Sequence, residues 1–190
     1  MITGRDVANK MLELRGTPYI FGYEIKFGVH RPKATDCSES IEWTCRELGV
    51  KPVMPDGSWY QFQHCAKHGN EISVDDAITT PGALLFYFSG DPWSKYRPRA
   101  AHVAVSLGNG KTIEARSSKL GTKVFSAYNR GWTHAALIPG VSYGAEWGDA
   151  QPKPPAPAPA PVPPQKKEEP VMGSTWRSVL RKLLSMVGIG

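Results

Sequence analysis

The chain has 190 residues, a net charge of +6, 41% hydrophobic and 21% charged residues. That mix excludes a wholly disordered chain, and the length allows one medium domain with appendages but not two full domains. No run of about 18 apolar residues occurs, so no ordinary membrane-spanning helix is predicted, and Met1–Asp6 lacks the apolar core of a secretory signal.

The first predicted element is a helix. Thr3 and Asp6 form a capping-box pair, Val7, Met11 and Leu14 recur at helical spacing, and Gly16 ends the run. A second helix opens at Asp36, which can cap, with Glu39 three residues on; Ile41, Cys45 and Leu48 then share a face before Gly49. Ser58 with Gln61 opens a third, running through Phe62 and Cys65 towards Gly69. Beyond it the period changes. Pro81-Gly82 signals a turn, and Ala83–Phe88 reads as a buried strand. His102–Leu107 alternates weakly, Gly108-Asn109-Gly110 signals a hairpin, and Thr112–Ala115 returns from it. Lys123–Tyr128 and Thr133–Ile138 read as two more short strands. Helices followed by a meander of strands predict an α+β fold, with N-terminal helices packed on an antiparallel sheet.

The folded domain is expected to span residues 1–148. Nine of the 17 prolines fall between Pro152 and Pro170, so residues 149–172 are expected to form a stiff polyproline II spacer. In residues 173–190, Trp176, Val179, Leu180, Leu183, Leu184 and Val187 fall on one helical face, and Arg177, Arg181 and Lys182 on the other. Residues 151–190 hold six basic residues and only two acidic ones, so most of the net charge sits there. A basic amphipathic helix over residues 174–187 is expected to lie on an anionic membrane surface; docking back onto the body or onto a protein partner is the competing reading.

Cys37 carries the most chemical information. It falls in the first turn of a predicted helix, where unpaired N–H groups and the helix dipole favour negative charge. A buried, inert cysteine is the rival reading. His102 opens a strand and can serve as a base; His30, His64, His68 and His134 are the other candidates. Glu114 follows His102 across the hairpin. A two-residue Asn109-Gly110 turn would set Glu114 opposite Val105, whereas a turn centred near Gly108, or a bulge, would pair it with His102. A Cys–His–Glu set makes mechanistic sense: the sulfur attacks a carbonyl, the imidazole moves the proton, and the carboxylate fixes the ring. Taken alone, Glu114 reads as a solvated strand residue. The three cysteines, Cys37, Cys45 and Cys65, have no disulfide-framework spacing.

Thr17–Gly22, Thr35–Glu39, Pro81–Phe86 and His102–Ala115, in this order, resemble the NlpC/P60 family of papain-like cysteine peptidases over about residues 5–140. The resemblance implies a papain-like NlpC/P60 fold and cleavage of peptidoglycan stem peptides, commonly between D-Glu and a diamino acid. It implies Cys37 as nucleophile, His102 as base and Glu114 in the orienting position. Tyr19 matches an aromatic position beside the nucleophile, where it helps bind substrate or the oxyanion, and Asp36 and Ser38 match residues that contact the substrate's peptide end. Three positions depart from the family pattern: Glu39 replaces a glycine, Ala83 replaces an aspartate, and Tyr23–Lys33 is longer than the usual link.

His64-Cys65-Ala66-Lys67-His68 lacks a second ligand cluster at zinc spacing, so a plain amphipathic helix is the better reading and no metal is expected. No glycine-rich phosphate loop occurs, and no cofactor is expected. His134 is a reserve candidate for the third position. The expected partner is peptidoglycan, with no nucleic acid. An amidase of the related CHAP type and an inactive wall-binding or virion-structural module are the alternative functions. The missing secretory signal fits synthesis in the cytoplasm and action at the bacterial wall as a bacteriophage-type lysin or virion-borne hydrolase.

Overall fold

A computed structural model describes residues 1–144. The last residues of the expected domain, the proline-rich spacer (149–172) and the basic helix (173–190) lie outside them. Among the described residues no helix is long and apolar enough to cross a membrane.

Three N-terminal helices form where the periodicity puts them. Helix α1 (Gly4–Leu12) begins with the expected capping box: the Asp6 N–H donates to Thr3 Oγ1, and the Thr3 N–H donates to Asp6. Helix α2 (Cys37–Leu48) is capped by Asp36 and ends at Gly49, whose φ of 71° suits a residue without Cβ. Its cap is one-sided, however. Glu39 does not reach back to Asp36; its carboxylate instead accepts from the Ile25 N–H at 3.1 Å. Helix α3 (Ser58–Lys67) corrects a second expectation. Gly57, not Ser58, holds the cap position, and no side chain bonds the helix start. Gln61 is fully buried and donates through Nε2 to the carbonyls of Ser38 and Pro55, tying α3 to the start of α2.

Strand β1 (Glu71–Ile72) and helix α4 (Val74–Thr79), capped by Ser73, were not expected from the periodicity. Strands β2 (Leu84–Phe88), β3 (Ala101–Ser106), β4 (Lys111–Ser117), β5 (Gly121–Ser126) and β6 (His134–Ala136) fall within a residue or two of the predicted runs. They form one antiparallel sheet in the order β1-β6-β2-β3-β4-β5. This is the α+β architecture predicted from the chain order.

The sheet is covered on both faces, which explains the unbroken apolar run of central strand β2. Leu84, Phe86, Val103, Val105 and Ile113 pack with α1, α2 and α3 around Met11, Ile41, Trp43 and Phe62. Leu85 and Ala135 pack on the other side with Ala77 and Ile78 of α4. The Pro81-Gly82 turn lies hard against the start of α1. A Cβ at Gly4 would run into the Pro81 carbonyl, so this approach requires glycine.

Candidate active site

The site grows from the start of α2. Asp36 Oδ1 accepts from the N–H groups of Ser38 and Glu39 at 3.0 and 2.9 Å, and from the Ser38 hydroxyl at 3.1 Å. Asp36 Oδ2 accepts from the Gly22 N–H at 2.9 Å. One carboxylate therefore caps the helix bearing Cys37 and pins the loop bearing Tyr19. These bonds make Asp36 a local scaffold, and Ser38 points its hydroxyl at the cap.

Cys37, Tyr19, Asp36, Ser38 and His102 line one cleft of about 560 Å³, with Phe21, Tyr60 and Tyr87 as aromatic walls and Arg97 and Arg116 as cations. Cys37 is 8% exposed at this cleft. Cys45 and Cys65 are sealed in the core, where burial pushes both thiols up, Cys45 to about 12. Tyr19 is also pushed up to about 12, first by burial and then by the negative charges of Cys37 and Asp36, so its phenol stays protonated.

His102 enters from β3, and its Nε2 bonds Glu114 Oε2 at 2.6 Å. The strand register that permits this is neither of the two considered from sequence. Val105 pairs with Ile113 and Ser106 with Thr112, around a Gly108–Gly110 loop closed by the Leu107 N–H on the Lys111 carbonyl. Continued along the strands, that register sets Glu114 beside Ala104, on the same face as His102 and diagonal to it, within reach of long side chains.

Glu114 is fully buried, not solvated. Oε1 accepts from the Thr112 hydroxyl and Arg130 Nη1, each at 2.8 Å, and Oε2 accepts from Arg130 Nη2 at 2.9 Å. Burial opposes its charge, but the bonds from His102 and Arg130 outweigh that and hold the carboxyl at about 2. Burial likewise opposes the His102 imidazolium, yet the neighbouring Cys37 and the bonded Glu114 carboxylate raise it to about 9. Trp132 stacks on the ring at 6.0 Å, 15° from parallel.

The remaining histidines lie elsewhere. His30 pairs with Glu47 at the surface, the His64 and His68 rings meet at a tilt at the end of α3, and His134 packs on Phe62 with its Nδ1 bonded to Thr133. Glu39, Glu42 and Asp56 bring carboxylate oxygens within 4.8 Å of one another. Arg46 already serves two of them, at 3.1 Å from Glu42 and 3.7 Å from Glu39. Arg130 and Trp132 were not anticipated. Their one sequence signal is the Asn129-Arg130-Gly131 turn, whose outer residues take φ of 57° and 67°.

Residues 16–140 match the sequence profile of the NlpC/P60 family. The chain belongs to the NlpC/P60 family. Similar solved structures bear on the same fold. The NlpC/P60 domain of the peptidoglycan hydrolase SagA shares 25% identity at a TM-score of 0.55, with 72% of this chain and 100% of that one covered. The P60 domain of an antigen from M. avium subspecies paratuberculosis shares 27% identity at 0.52, covering 71% and 96%. NlpC1 from Trichomonas vaginalis shares 24% at 0.53, covering 74% of this chain and 44% of its own. Among curated proteins, none matches the chain.

The departures from the NlpC/P60 pattern are explained together. Glu39 fills a role that glycine cannot, holding Ile25 and meeting Arg46. Arg46 also donates to the Ile25 carbonyl, and Trp43 donates to the Val29 carbonyl. The longer Tyr23–Lys33 segment is thus sewn to α2 by the residue that departs from the pattern. Ala83 is fully buried and packs with Ala77 and Ile78 of α4.

Proposed function

We propose that the protein is a cysteine peptidase that hydrolyses peptidoglycan stem peptides, with the bond between D-Glu and the diamino acid as its target. The observation that carries this reading is the convergence of Cys37, at the mouth of α2, and His102, held by buried Glu114, on a single cleft. The NlpC/P60 membership and the likeness to the SagA hydrolase domain support the substrate.

In this mechanism the Cys37 thiol gives its proton to the His102 nitrogen not bonded to Glu114, and the sulfur attacks the scissile carbonyl carbon. The Cys37 N–H and the Tyr19 hydroxyl stabilise the resulting oxyanion; the neighbouring Ser38 and Glu39 N–H groups are already held by Asp36. The imidazolium then protonates the leaving amine, the C–N bond breaks, and a thioester remains on Cys37. His102 takes a proton from water as its oxygen attacks the thioester, and returns that proton to sulfur as the acid product leaves. Glu114 stays ionised throughout and holds the ring.

Mass spectrometry of muropeptides released by the wild type and by Cys37→Ala tests the reading. A new amino terminus on the diamino acid, absent with the variant, is the expected result. Release of intact stem peptides from the sugar would replace the endopeptidase by a CHAP-type amidase. Undiminished release by the variant would remove Cys37 as nucleophile. The proposal extends to a lytic role at the envelope, with residues 174–187 contacting anionic membrane. Deleting residues 171–190 is then expected to weaken liposome binding and to spare hydrolysis of purified peptidoglycan.

A further inference from the structure

Arg130 stands outside every motif of the chain, yet it makes two of the four hydrogen bonds that Glu114 receives. Its fork meets both carboxylate oxygens, one of which is also the oxygen that holds His102. Arg130 is itself held. Its guanidinium lies 5.1 Å from the Trp132 ring and 5.7 Å from Phe125, and Nη1 also reaches the Ser126 carbonyl at 3.4 Å. Trp132, fixed by a bond from Nε1 to the Ala127 carbonyl, thus covers both Arg130 and His102.

We propose that Arg130 is a positioning residue of the reaction, acting through Glu114: its fork holds the carboxylate in the orientation that fixes the His102 ring, while Trp132 screens the set from water. This rests on the proposed roles of Cys37 and His102. The physical need is specific. A carboxylate bonded to a single imidazole can rotate about its terminal torsion, and one buried without a second cation readily takes a proton. A guanidinium removes both freedoms at once; a lysine ammonium supplies charge without the planar fork.

Few other charges face this carboxylate. Lys123 is its register partner on β5, and Arg116 stands two residues along β4; neither bonds it. Cys37, from α2, lines the same cleft as His102. Removing Arg130 therefore leaves His102 as the bonded cation, and Glu114 should accept a proton at higher pH than in the wild type.

The test compares Arg130→Met, Arg130→Lys, Glu114→Gln and the double variant Glu114→Gln/Arg130→Met. Two readouts are taken: kcat and KM on a purified muropeptide, and the pH profile of Cys37 alkylation by iodoacetamide, mapped by mass spectrometry. Arg130→Met is expected to lower kcat about 30-fold with KM little changed, and Arg130→Lys to recover only part of that. The acid limb of the alkylation profile should move to higher pH in Arg130→Met. The double variant should be no slower than the slower single one within about threefold, because both changes break one unit. Wild-type kcat and alkylation profile in Arg130→Met would overturn the proposal, as would multiplied losses in the double variant. Should methionine prevent folding, a wild-type profile in Arg130→Lys would overturn it instead. Alkylation needs no substrate, so the two readings fail separately. A shifted profile in a protein that cleaves no stem peptide keeps the positioning role and sinks the substrate. Normal cleavage with an unmoved profile does the reverse.

Discussion

Glu114 and Glu39 are both shielded from water, at 0% and 6% exposure, and they end in opposite states. Glu114, on β4, receives bonds from a guanidinium and an imidazole and is held at about 2. Glu39, on α2, has Arg46 only at 3.7 Å and stands near Glu42 and Asp36; burial, then Glu42, pushes it up to about 7. Burial opposes ionisation at both, so the difference comes from partners, not depth. It separates a carboxylate held charged beside an imidazole from one that fastens a loop and needs only an acceptor oxygen.

The largest expected effect strikes the charged side of that contrast. His102→Ala should lower kcat/KM by about a thousandfold or more in muropeptide hydrolysis. Glu114→Gln comes next, at about a hundredfold in kcat, and it should also destabilise the fold by about 2 kcal/mol in urea denaturation, because the partly buried Arg130 is left without its anion. Near-normal activity in Glu114→Gln would erase the distinction between the two carboxylates. Tyr19→Phe, which removes the hydroxyl proposed as an oxyanion donor, should cost about tenfold in kcat.

Protonation sharpens the comparison without mutation. The Glu114 contribution to stability is present above its ordinary value of 4.5 and is lost as pH falls through about 2. The His102 contribution is full below 6.5 and is lost as pH rises through about 9, where hydrolysis should decline as well. Glu39 runs the other way from Glu114. Its contribution is present below 4.5 and is lost as pH rises through about 7. The smallest expected effect follows: Glu39→Gln should leave kcat within about threefold and raise the melting temperature at pH 8 by about 3 °C, since the amide oxygen can still accept from Ile25. A drop in melting temperature at pH 8 would show that Glu39 needs its charge after all.

Much of this was legible in the sequence because it is local. Asp36 and Gly49 bracket α2 by cap chemistry, which puts Cys37 at a helix mouth before any coordinates are known. The apolar run from Ala83 to Phe88 announces a central strand covered on both faces. Where local grammar was ambiguous, tertiary partners decided. Glu39 has the spacing of a capping-box residue but bonds Ile25, fourteen residues upstream. Ser58 has the chemistry of a cap, yet the helix begins on it and Gly57 takes the cap position. Helix α4 has six residues, too few to show a period. The hairpin was visible and its register was not, because a glycine-asparagine-glycine run admits several loop lengths. Arg130 was out of reach for the same reason at larger scale: its sixteen-residue separation from Glu114 is closed only by the pairing of β4 with β5.

The divided attachment of Asp36 carries a further consequence. With one oxygen on the helix start and the other on the Gly22 amide, the two lips of the groove are strapped together, and neither can swing outward without breaking the other's anchor. Small flat electrophiles that slip between fixed lips should therefore label the protein faster than bulky ones that need the mouth to gape.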